Sequence, residues 1–594
     1  MLWENLAPRK PQQYYIRLQR VAVGVTVAMA LLLLRLAWMQ LWMGKEYRSQ
    51  AENNATRTVP WRAPRGLLLD RHLRVLVSNQ PALSLGLTPA ELLRRPEMVD
   101  PVIQRLASLT GLGAEEIHEK FVRQSKRPFA PARLSQDLDR AMLGRLEERR
   151  DQLPGMMVIA DSKRVYPLPL AAHVLGYVGE ISEKQLDAME DQGYRMGDMV
   201  GQTGLEAVYD QVLKGEDGGR QVRIDAHGHE LSVLAETQPR TGNSLVLTLD
   251  AALQQVAEDQ MGRNAGAIVA LDPRNGDVLA MVSKPDFQSS DFSGRVKHGV
   301  WSRLLQDERT PFTNRAIQGV YPPGSVFKVV TAAAALETGA VTPQWRAECY
   351  GIFYIANWPY RCWKETGHGA IAIEQAITES CDIYFYQAGL RTKVQALHDY
   401  SVRFGLGRKT GVDLPGEKAG LVPDAAWKEN TQSMPWFPGN TIMMSIGQGY
   451  LQVTPLQMAT VAAAIANGGT LWKPHLVSRV TSPEGELVSE VKPQKMGQVA
   501  LSPETLRLIQ RGMTKAVDER RGTAWRARVE GVSVAGKTGT IQNPPFADHA
   551  AFVAFAPVEN PQIAIAVLVE NAGSEGGVVA APMAKAMLDA YFGK

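Results

Sequence analysis

From Val21 to Trp42 the chain is predominantly apolar, interrupted by Thr26, Gln40 and a single charge at Arg35 (VAVGVTVAMALLLLRLAWMQLW). A helix of about 20 apolar residues crosses the hydrocarbon core of a bilayer, so the pattern predicts a transmembrane helix over 21–43. Tyr14 and Tyr15 precede it and Trp38 and Trp42 close it, as an interfacial aromatic belt would. After the anchor the pattern breaks into short pieces. Two strand-like runs lie in APRGLLLDRHLRVLVSN, helical periods in PAELLRRP and LDRAMLGRLEERRDQL, and a period-2 alternation in RQVRID. From Asp250 the pattern changes. AALQQVAEDQM reads as helix, and the apolar runs either side of Asn275-Gly276 in AGAIVALDPRNGDVLAMVS predict a hairpin. Near the C-terminus, HAAFVAFAPVENPQIAIAVLVE predicts two more strands and GVVAAPMAKAMLDAYF a helix. Strands at both ends of a mostly helical middle predict an α+β domain. In it an antiparallel sheet is flanked by helices, and its first and last strands meet in space. The reading divides the chain into a tail (1–20), the anchor (21–43), an elongated α+β pedestal (44–249) without an evident reactive constellation and a second α+β domain (250–594).

Charge adds direction. Arg9, Lys10, Arg17 and Arg20 precede the apolar run, while Lys45 and Arg48 follow it closely. Basic flanks stay in the cytoplasm, so everything after about residue 45 is expected outside it. A cleaved signal peptide is the rival reading. The stretch after Leu34 has no small-x-small site and carries Arg35 and two tryptophans, which favours an uncleaved anchor. Arg35 itself reads either as a snorkelling side chain or as a polar contact with another membrane protein. The 594 residues suffice for two or more domains, and a net charge of +4 is too balanced to imply a nucleic-acid partner.

Candidate chemistry begins at YPPGSVFKVV. The helix expected over Val326–Leu336 carries one charge, Lys328, and an apolar helix of this kind is buried. Ser325 can cap it or occupy its first turn, and Lys328 lies on the same face at i+3. A buried lysine can lose its proton and take the one that keeps a serine hydroxyl from attacking, while the helix N-terminus faces a developing oxyanion. Alone, S-x-x-K recurs by chance, and the bland reading is a lysine whose stem packs and whose tip escapes. Two further motifs change the weighting. Ser380-Cys381-Asp382 opens a helical segment, and Lys537-Thr538-Gly539-Thr540 closes an apolar strand. S-x-x-K, S-D-N and K-T-G form a set in penicillin-binding proteins and serine β-lactamases. Here the first and third are intact, and Ser-Cys-Asp stands in the place of the second.

On these motifs the chain resembles the class B penicillin-binding proteins, of the rod-elongation rather than the division type. The resemblance extends to RGLLLDR, RVYP at Arg164–Pro167, GQTGLEAVYD, NRAIQGVYPPGSVFK, Gly367-His368-Gly369 and GQGYLQVTPLQMA. Most relatives carry Asn where Asp382 stands. The resemblance implies an exported, membrane-anchored peptidoglycan D,D-transpeptidase, acting on stem peptides and acylated by β-lactams. Ser325 would be the nucleophile, Lys328 its base and Ser380 the route of the leaving proton. Asp382 belongs to the same set, Lys537 and Thr538 would hold the substrate's carboxylate, and Thr540 would give an oxyanion N–H beside that of Ser325. Gly539 would let a substrate backbone lie close. A RodA-type glycan polymerase in the membrane and other elongation proteins are the implied partners. A division-type transpeptidase, a β-lactam hydrolase and a membrane-anchored β-lactam sensor are the alternatives. The first lacks the YPPGS and Ser-x-Asp forms seen here. A hydrolase needs a deacylating base that the sequence does not show, and a sensor more transmembrane segments.

No cofactor is implied for catalysis, but the cysteines form a pattern. All three fall between Cys349 and Cys381, and with His368 they give C-x12-C-x5-H-x12-C, a Cys3His composition suited to structural zinc. A Cys349–Cys362 disulfide beside a free Cys381, and three unrelated core thiols, are the other readings. His549 reads as a satisfied structural histidine, Gln448 as part of a turn or the cleft floor, and Met443, Met444 and Met458 as core.

Overall fold

The structure is a computed structural model, described for residues 11–48, 56–125, 131–224, 230–294 and 298–594. Arg9 and Lys10 lie outside the described residues. Helix α1 (Pro11–Leu41) contains an apolar stretch over Tyr14–Leu41 with mean hydropathy 2.1, long enough to cross a membrane. Arg35 is not left bare on it, because its guanidinium lies 4.7 Å from the centre of the Trp38 ring, one turn toward the C-terminal end.

The C-terminal half begins with α2 (Ala251–Met261), capped by the Asp250 carboxylate, which accepts from Ala252 N and Leu253 N. Strands β1 (Gly266–Leu271) and β2 (Val278–Lys284) form the expected hairpin, and its turn is tied by Gly276 N to Asp272 O at 2.9 Å. Next come α3 (Lys328–Glu337), a small hairpin of β3 (Ile352–Ile355) and β4 (Trp358–Arg361), α4 (Asp382–Arg403), α5 (Pro455–Ala466) and α6 (Pro503–Asp518). The chain closes with β5 (Ala535–Ile541), β6 (His549–Ala556), β7 (Ile563–Val569) and α7 (Gly576–Phe592).

The five-stranded sheet runs β2-β1-β7-β6-β5, antiparallel throughout. The first strand of the domain pairs with the last, Gly266 opposite Val569, as expected from apolar runs at both ends. Its central strands are apolar at nearly every position rather than alternating, because helices cover both faces. One core contains Val269, Ala566 and Val553 with residues of α3 and α5; the other contains Ile268, Val567 and Phe552 with residues of α2 and α7. Helix α5 is buried along its whole length, consistent with its uniformly apolar sequence.

The pedestal is built on a seven-stranded sheet that includes Leu68–Leu69, Val75–Leu87, Ala132–Ser135, Met156–Val165 and Ser244–Leu247. Its remaining two strands, Val477–Thr481 and Leu487–Glu490, come from far inside the C-terminal half of the sequence. Three separate stretches converge beneath this sheet on one buried carboxylate, Glu206 of GQTGLEAVYD. Arg65 of RGLLLDR donates to it at 2.7 Å and Arg164 of RVYP at 2.6 Å, while Arg65 also pairs with Asp210 at 2.7 Å. Burial alone would raise the Glu206 pKa, but Arg164 and Arg65 outweigh it and hold it below the usual range.

Removing one member of such a cluster strands the others in a medium of low polarity. Glu206→Ala is expected to lower stability by roughly 3–5 kcal/mol, read as a fall in the denaturation midpoint of the purified full chain. A shift no larger than that of an exposed-site control such as Glu484→Ala would show the cluster to be energetically idle.

Candidate active site

The segment before α3 does not form the start of a regular helix. Gly324–Phe327 is a single 3-10 turn, Gly324 has φ +58°, and α3 begins at Lys328. Ser325 makes no capping bond and sits half-buried on the turn, so the expected N-cap role gives way to a first-turn position. The turn is braced from behind: Gly324 N donates to Gly447 O at 2.8 Å, and a Cβ on Gly447 would lie 2.2 Å from Gly324 O. Gly447 also has φ +75°, so the position admits only glycine without rebuilding.

Lys328 is fully buried, as an apolar helix predicts. Its ammonium donates to Asp382 Oδ1 at 2.7 Å, Ser380 O at 2.9 Å and Ser380 Oγ at 3.2 Å. Lys537 is also fully buried, on β5, and donates to Ser380 Oγ at 2.8 Å and Thr538 O at 3.0 Å. Two lysines thus meet at one hydroxyl. Ser380 reaches that point because its backbone takes φ +55°, a left-handed conformation costing a non-glycine residue roughly 1–2 kcal/mol. Cys381 then caps α4, its sulfur accepting from Tyr384 N at 3.5 Å. Asp382 spends its second oxygen on Trp363 N at 3.0 Å. The Lys537 pKa is pushed well below an ordinary lysine's, first by burial and then by the positive charge of Lys328, with Asp382 opposing.

The K-T-G strand approaches the serine turn closely. A Cβ on Gly539 would lie 3.2 Å from both Pro323 O and Val326 Cγ2, so that glycine is set against the loop that carries Ser325. Gln448 Nε2 donates to Thr540 O at 3.4 Å, tying the strand to the Gly447 turn. Thr538 Oγ1 donates to Thr523 Oγ1 at 2.9 Å, and Thr540 is half-buried at the strand's end. The ammonium of Lys537 faces inward to Ser380, which places its charge behind the site. His549 accepts from Asn571 N at 2.9 Å through Nδ1 and meets the Tyr321 ring edge-on, a structural placement. Met444 and Met458 are buried, and Met443 is partly so.

The three cysteines are buried and none is in a disulfide. Ligand atoms of Cys349, Cys362, His368 and Cys381 lie within 4.8 Å of one another. Tetrahedral zinc, with bonds of about 2.3 Å to sulfur and 2.0 Å to nitrogen, sets its donors roughly 3.5–3.8 Å apart. His368 Nδ1 lies 3.4 Å from Cys349 Sγ and 3.6 Å from Cys362 Sγ. His368 Nε2 is buried without a hydrogen bond, 3.8 Å from Glu379 Oε2, where a carboxylate behind a ligating imidazole belongs. The Cys349 thiol is pushed down to about 6 and Cys362 is also lowered, first by the hydrogen bond from the Cys381 thiol, which is raised in turn. Glu379 and Trp363 carry no sequence signal of their own; only the fold brings them to Asp382 and His368.

A family model described as the penicillin binding protein transpeptidase domain matches residues 266–589, and one described as the penicillin-binding protein dimerisation domain matches 60–247. Peptidoglycan D,D-transpeptidase MrdA of Acinetobacter baumannii is 34% identical over 96% of this chain and 86% of its own. The penicillin-binding protein PBP2 of Helicobacter pylori, solved in complex with MreC, superposes with TM-score 0.79 at 31% identity, covering 90% of this chain and 99% of the other. A chain from a structure of a peptidoglycan synthase complex that coordinates polymerization and crosslinking gives TM-score 0.72 at 32% identity, over 97% and 98%.

The lowered Lys537 pKa has a sign. Between its folded value and 10.5 the unfolded chain holds a proton that the folded chain has released, so stability rises with pH across that window. Relative to Lys537→Met, which lacks the titration, wild type should gain up to about 1.4 kcal/mol per pH unit there, measured by denaturant unfolding at a series of pH values. Parallel curves for the two proteins would place the buried charge elsewhere.

Proposed function

The chain belongs to the transpeptidase family of penicillin-binding proteins, and from that premise and the site's geometry we propose the roles of its residues. The protein is a peptidoglycan D,D-transpeptidase that cross-links stem peptides during cell elongation. The observation that carries the residue roles is the convergence on Ser380 Oγ of Lys537 and of Lys328, which follows Ser325 by three residues.

Ser325 Oγ attacks the penultimate D-Ala carbonyl while Lys328 Nζ takes its proton. The proton then moves through Ser380 Oγ to the nitrogen of the departing D-Ala as the C–N bond breaks. An amine of a second stem peptide attacks the ester carbonyl at Ser325 and gives up a proton to Lys328, which passes it to Ser325 Oγ as the C–O bond breaks and the cross-linked product leaves. The N–H groups of Ser325 and Thr540 stabilise the oxyanion, and Thr538 binds the terminal carboxylate, with the Lys537 charge behind it. β-Lactams present the same acyl group and acylate Ser325. Ser-x-Asp in place of Ser-x-Asn gives Lys328 an ionic partner that an amide could not supply.

The remaining assignments belong to the same reading. Residues 44–249 are the pedestal and 250–594 the transpeptidase domain. Basic residues before the anchor hold the N-terminus in the cytoplasm, with the bulk of the chain outside the inner membrane. The pedestal and anchor meet a RodA-type glycan polymerase and other elongation proteins. Cys349, Cys362, His368 and Cys381 hold one structural zinc, which would neutralise the thiolates and pin the 349–368 segment to the Ser380–Asp382 turn.

Two experiments check these roles. Ser325→Ala should fold, remain in the membrane and form no covalent adduct with fluorescent penicillin. Lys328→Arg should acylate at least about 100-fold more slowly despite its charge, because arginine does not deprotonate. An adduct on the alanine variant, or near-wild-type acylation in the arginine variant, would reassign the nucleophile or the base.

For the metal, protein purified without chelator should contain one zinc per chain. His368→Ala should lower both zinc content and melting temperature. Metal-free protein that yields a Cys349–Cys362 linked peptide by mass spectrometry would replace zinc with a disulfide.

A further inference from the structure

The segment that presents Ser325 has few bonds of its own to hold it. In Tyr321-Pro322-Pro323-Gly324 the two prolines lack an N–H, so only the Tyr321 and Gly324 amides can donate. Tyr321 N donates to Val453 O at 2.9 Å, Val453 N donates back to Tyr321 O at 2.8 Å, and Gly324 N reaches Gly447 O. A further hold comes from the Tyr321 side chain, which is buried. Its hydroxyl donates to Glu570 Oε1 at 2.6 Å, and its ring meets that of His549 edge-on at 5.8 Å between centroids. Gly319 leaves room for the hydroxyl, since a Cβ there would lie 2.5 Å from it. Burial, and after it the Glu570 charge, push the Tyr321 pKa up, so the hydroxyl stays a proton donor.

Glu570 is a fixed point of the sheet. It follows the last residue of β7, and its N–H donates to Ala265 O at 2.8 Å, beside the Gly266–Val569 pair that joins β1 to β7. The oxygen that accepts from Tyr321 also accepts from Arg315 Nε at 3.0 Å. Arg315 is buried and tied in turn: its backbone N–H donates to Ser283 Oγ of β2 at 2.8 Å, and Nη2 donates to Arg309 O at 2.6 Å. A hydrogen bond to an ionised carboxylate is roughly twice as strong as one between neutral groups. Between Tyr321 and Ser325 the chain has little freedom. Proline fixes φ near about −65°. Pro323 sits at −71°, and Gly324, bonded to Gly447, at +58°. A shift at Tyr321 is therefore passed on to Ser325 rather than absorbed.

We propose that Glu570 is a positioning residue for acylation, which sets the place of Ser325 through the Tyr321 hydroxyl and the two prolines. The proposal rests on the reading of Ser325 as nucleophile and adds to it the group that aims it. Glu570 stands outside the proton route through Lys328, Ser380 and Lys537, and it acts on where the attacking oxygen lies. A misplacement of about 1 Å at a reacting atom can cost about 100-fold in rate. Loss of one tether among several, with the Val453 and Gly447 bonds kept, should cost about tenfold.

The test labels the full chain, in detergent, with fluorescent penicillin over a series of concentrations and times, and locates the adduct by peptide mass. Tyr321→Phe keeps the ring and removes the hydroxyl. Glu570→Ala removes the acceptor, and Glu570→Gln keeps an oxygen that can accept. Tyr321→Phe and Glu570→Ala should each lower the limiting acylation rate constant about tenfold. The penicillin concentration that gives half the limiting rate, and the final fraction of chains labelled, should stay as in wild type. Glu570→Gln should recover most of the rate. The double variant Tyr321→Phe/Glu570→Ala should be no slower than Glu570→Ala, because both changes cut one connection. A wild-type rate constant in Tyr321→Phe would overturn the proposal. So would a smaller labelled fraction that reacts at the wild-type rate constant, which would mean support of the fold alone. Losses that multiply in the double variant would also overturn it, because Glu570 would then act by another route. A wild type labelled at a residue other than Ser325 would instead overturn the reading of the nucleophile, and this inference with it.

Discussion

Two buried ammonium groups share one hydroxyl in this protein, and a single carboxylate stands beside them. Lys328 and Lys537 both reach Ser380 Oγ, and Asp382 touches only Lys328. Lost hydration, and after it mutual repulsion, make a fully protonated pair unfavourable, which is why the Lys537 proton is weakly held. That imbalance is useful. In the mechanism proposed above, a site that already resists a full complement of protons suits the acceptance of one from a serine and its release to an amine.

The fold is arranged around keeping those groups fixed. Lys328 belongs to a helix buried on every side, Lys537 to a strand that pairs with β6, and Ser380 to a left-handed residue between two helices. None of the three could shift alone without moving a packed element. The sheet that carries Lys537 is closed by pairing its first strand with its last. The catalytic groups are thereby contributed by chain segments more than 50 and more than 150 residues apart, as the 328–380 and 380–537 contacts show.

Much of this was readable from sequence because the signals are local. An apolar helix with one lysine, an apolar strand ending in Lys-Thr-Gly-Thr and a turn at Asn275-Gly276 each specify their structure within a few residues. The clustering of Cys349, Cys362, His368 and Cys381 could be suspected from spacing alone, and the structure brings the four together. What the sequence did not reveal depends on tertiary contact. The 3-10 turn at Ser325 is set by Gly447, more than a hundred positions later. The role of Trp363 comes from a backbone N–H, which no side-chain pattern encodes. Lys537 looked like a direct ligand for a carboxylate, but its burial directs it to Ser380. Likewise RGLLLDR, RVYP and GQTGLEAVYD looked like three unrelated stretches until Arg65, Arg164 and Glu206 met in one ionic cluster.

The pedestal sheet borrows two strands, Val477–Thr481 and Leu487–Glu490, from the second half of the chain. A protein synthesised from its N-terminus delivers its residues in order. Ser244–Leu247 therefore emerges long before its neighbour Val477–Thr481, and its edge stands open while the intervening segment is made. The pedestal cannot mature as an independent first unit, and its completion waits for residues that follow Ser325. Anything that holds that edge in the interval acts on the order of assembly, and a nonsense mutation between the two segments spoils the pedestal as surely as the catalytic domain.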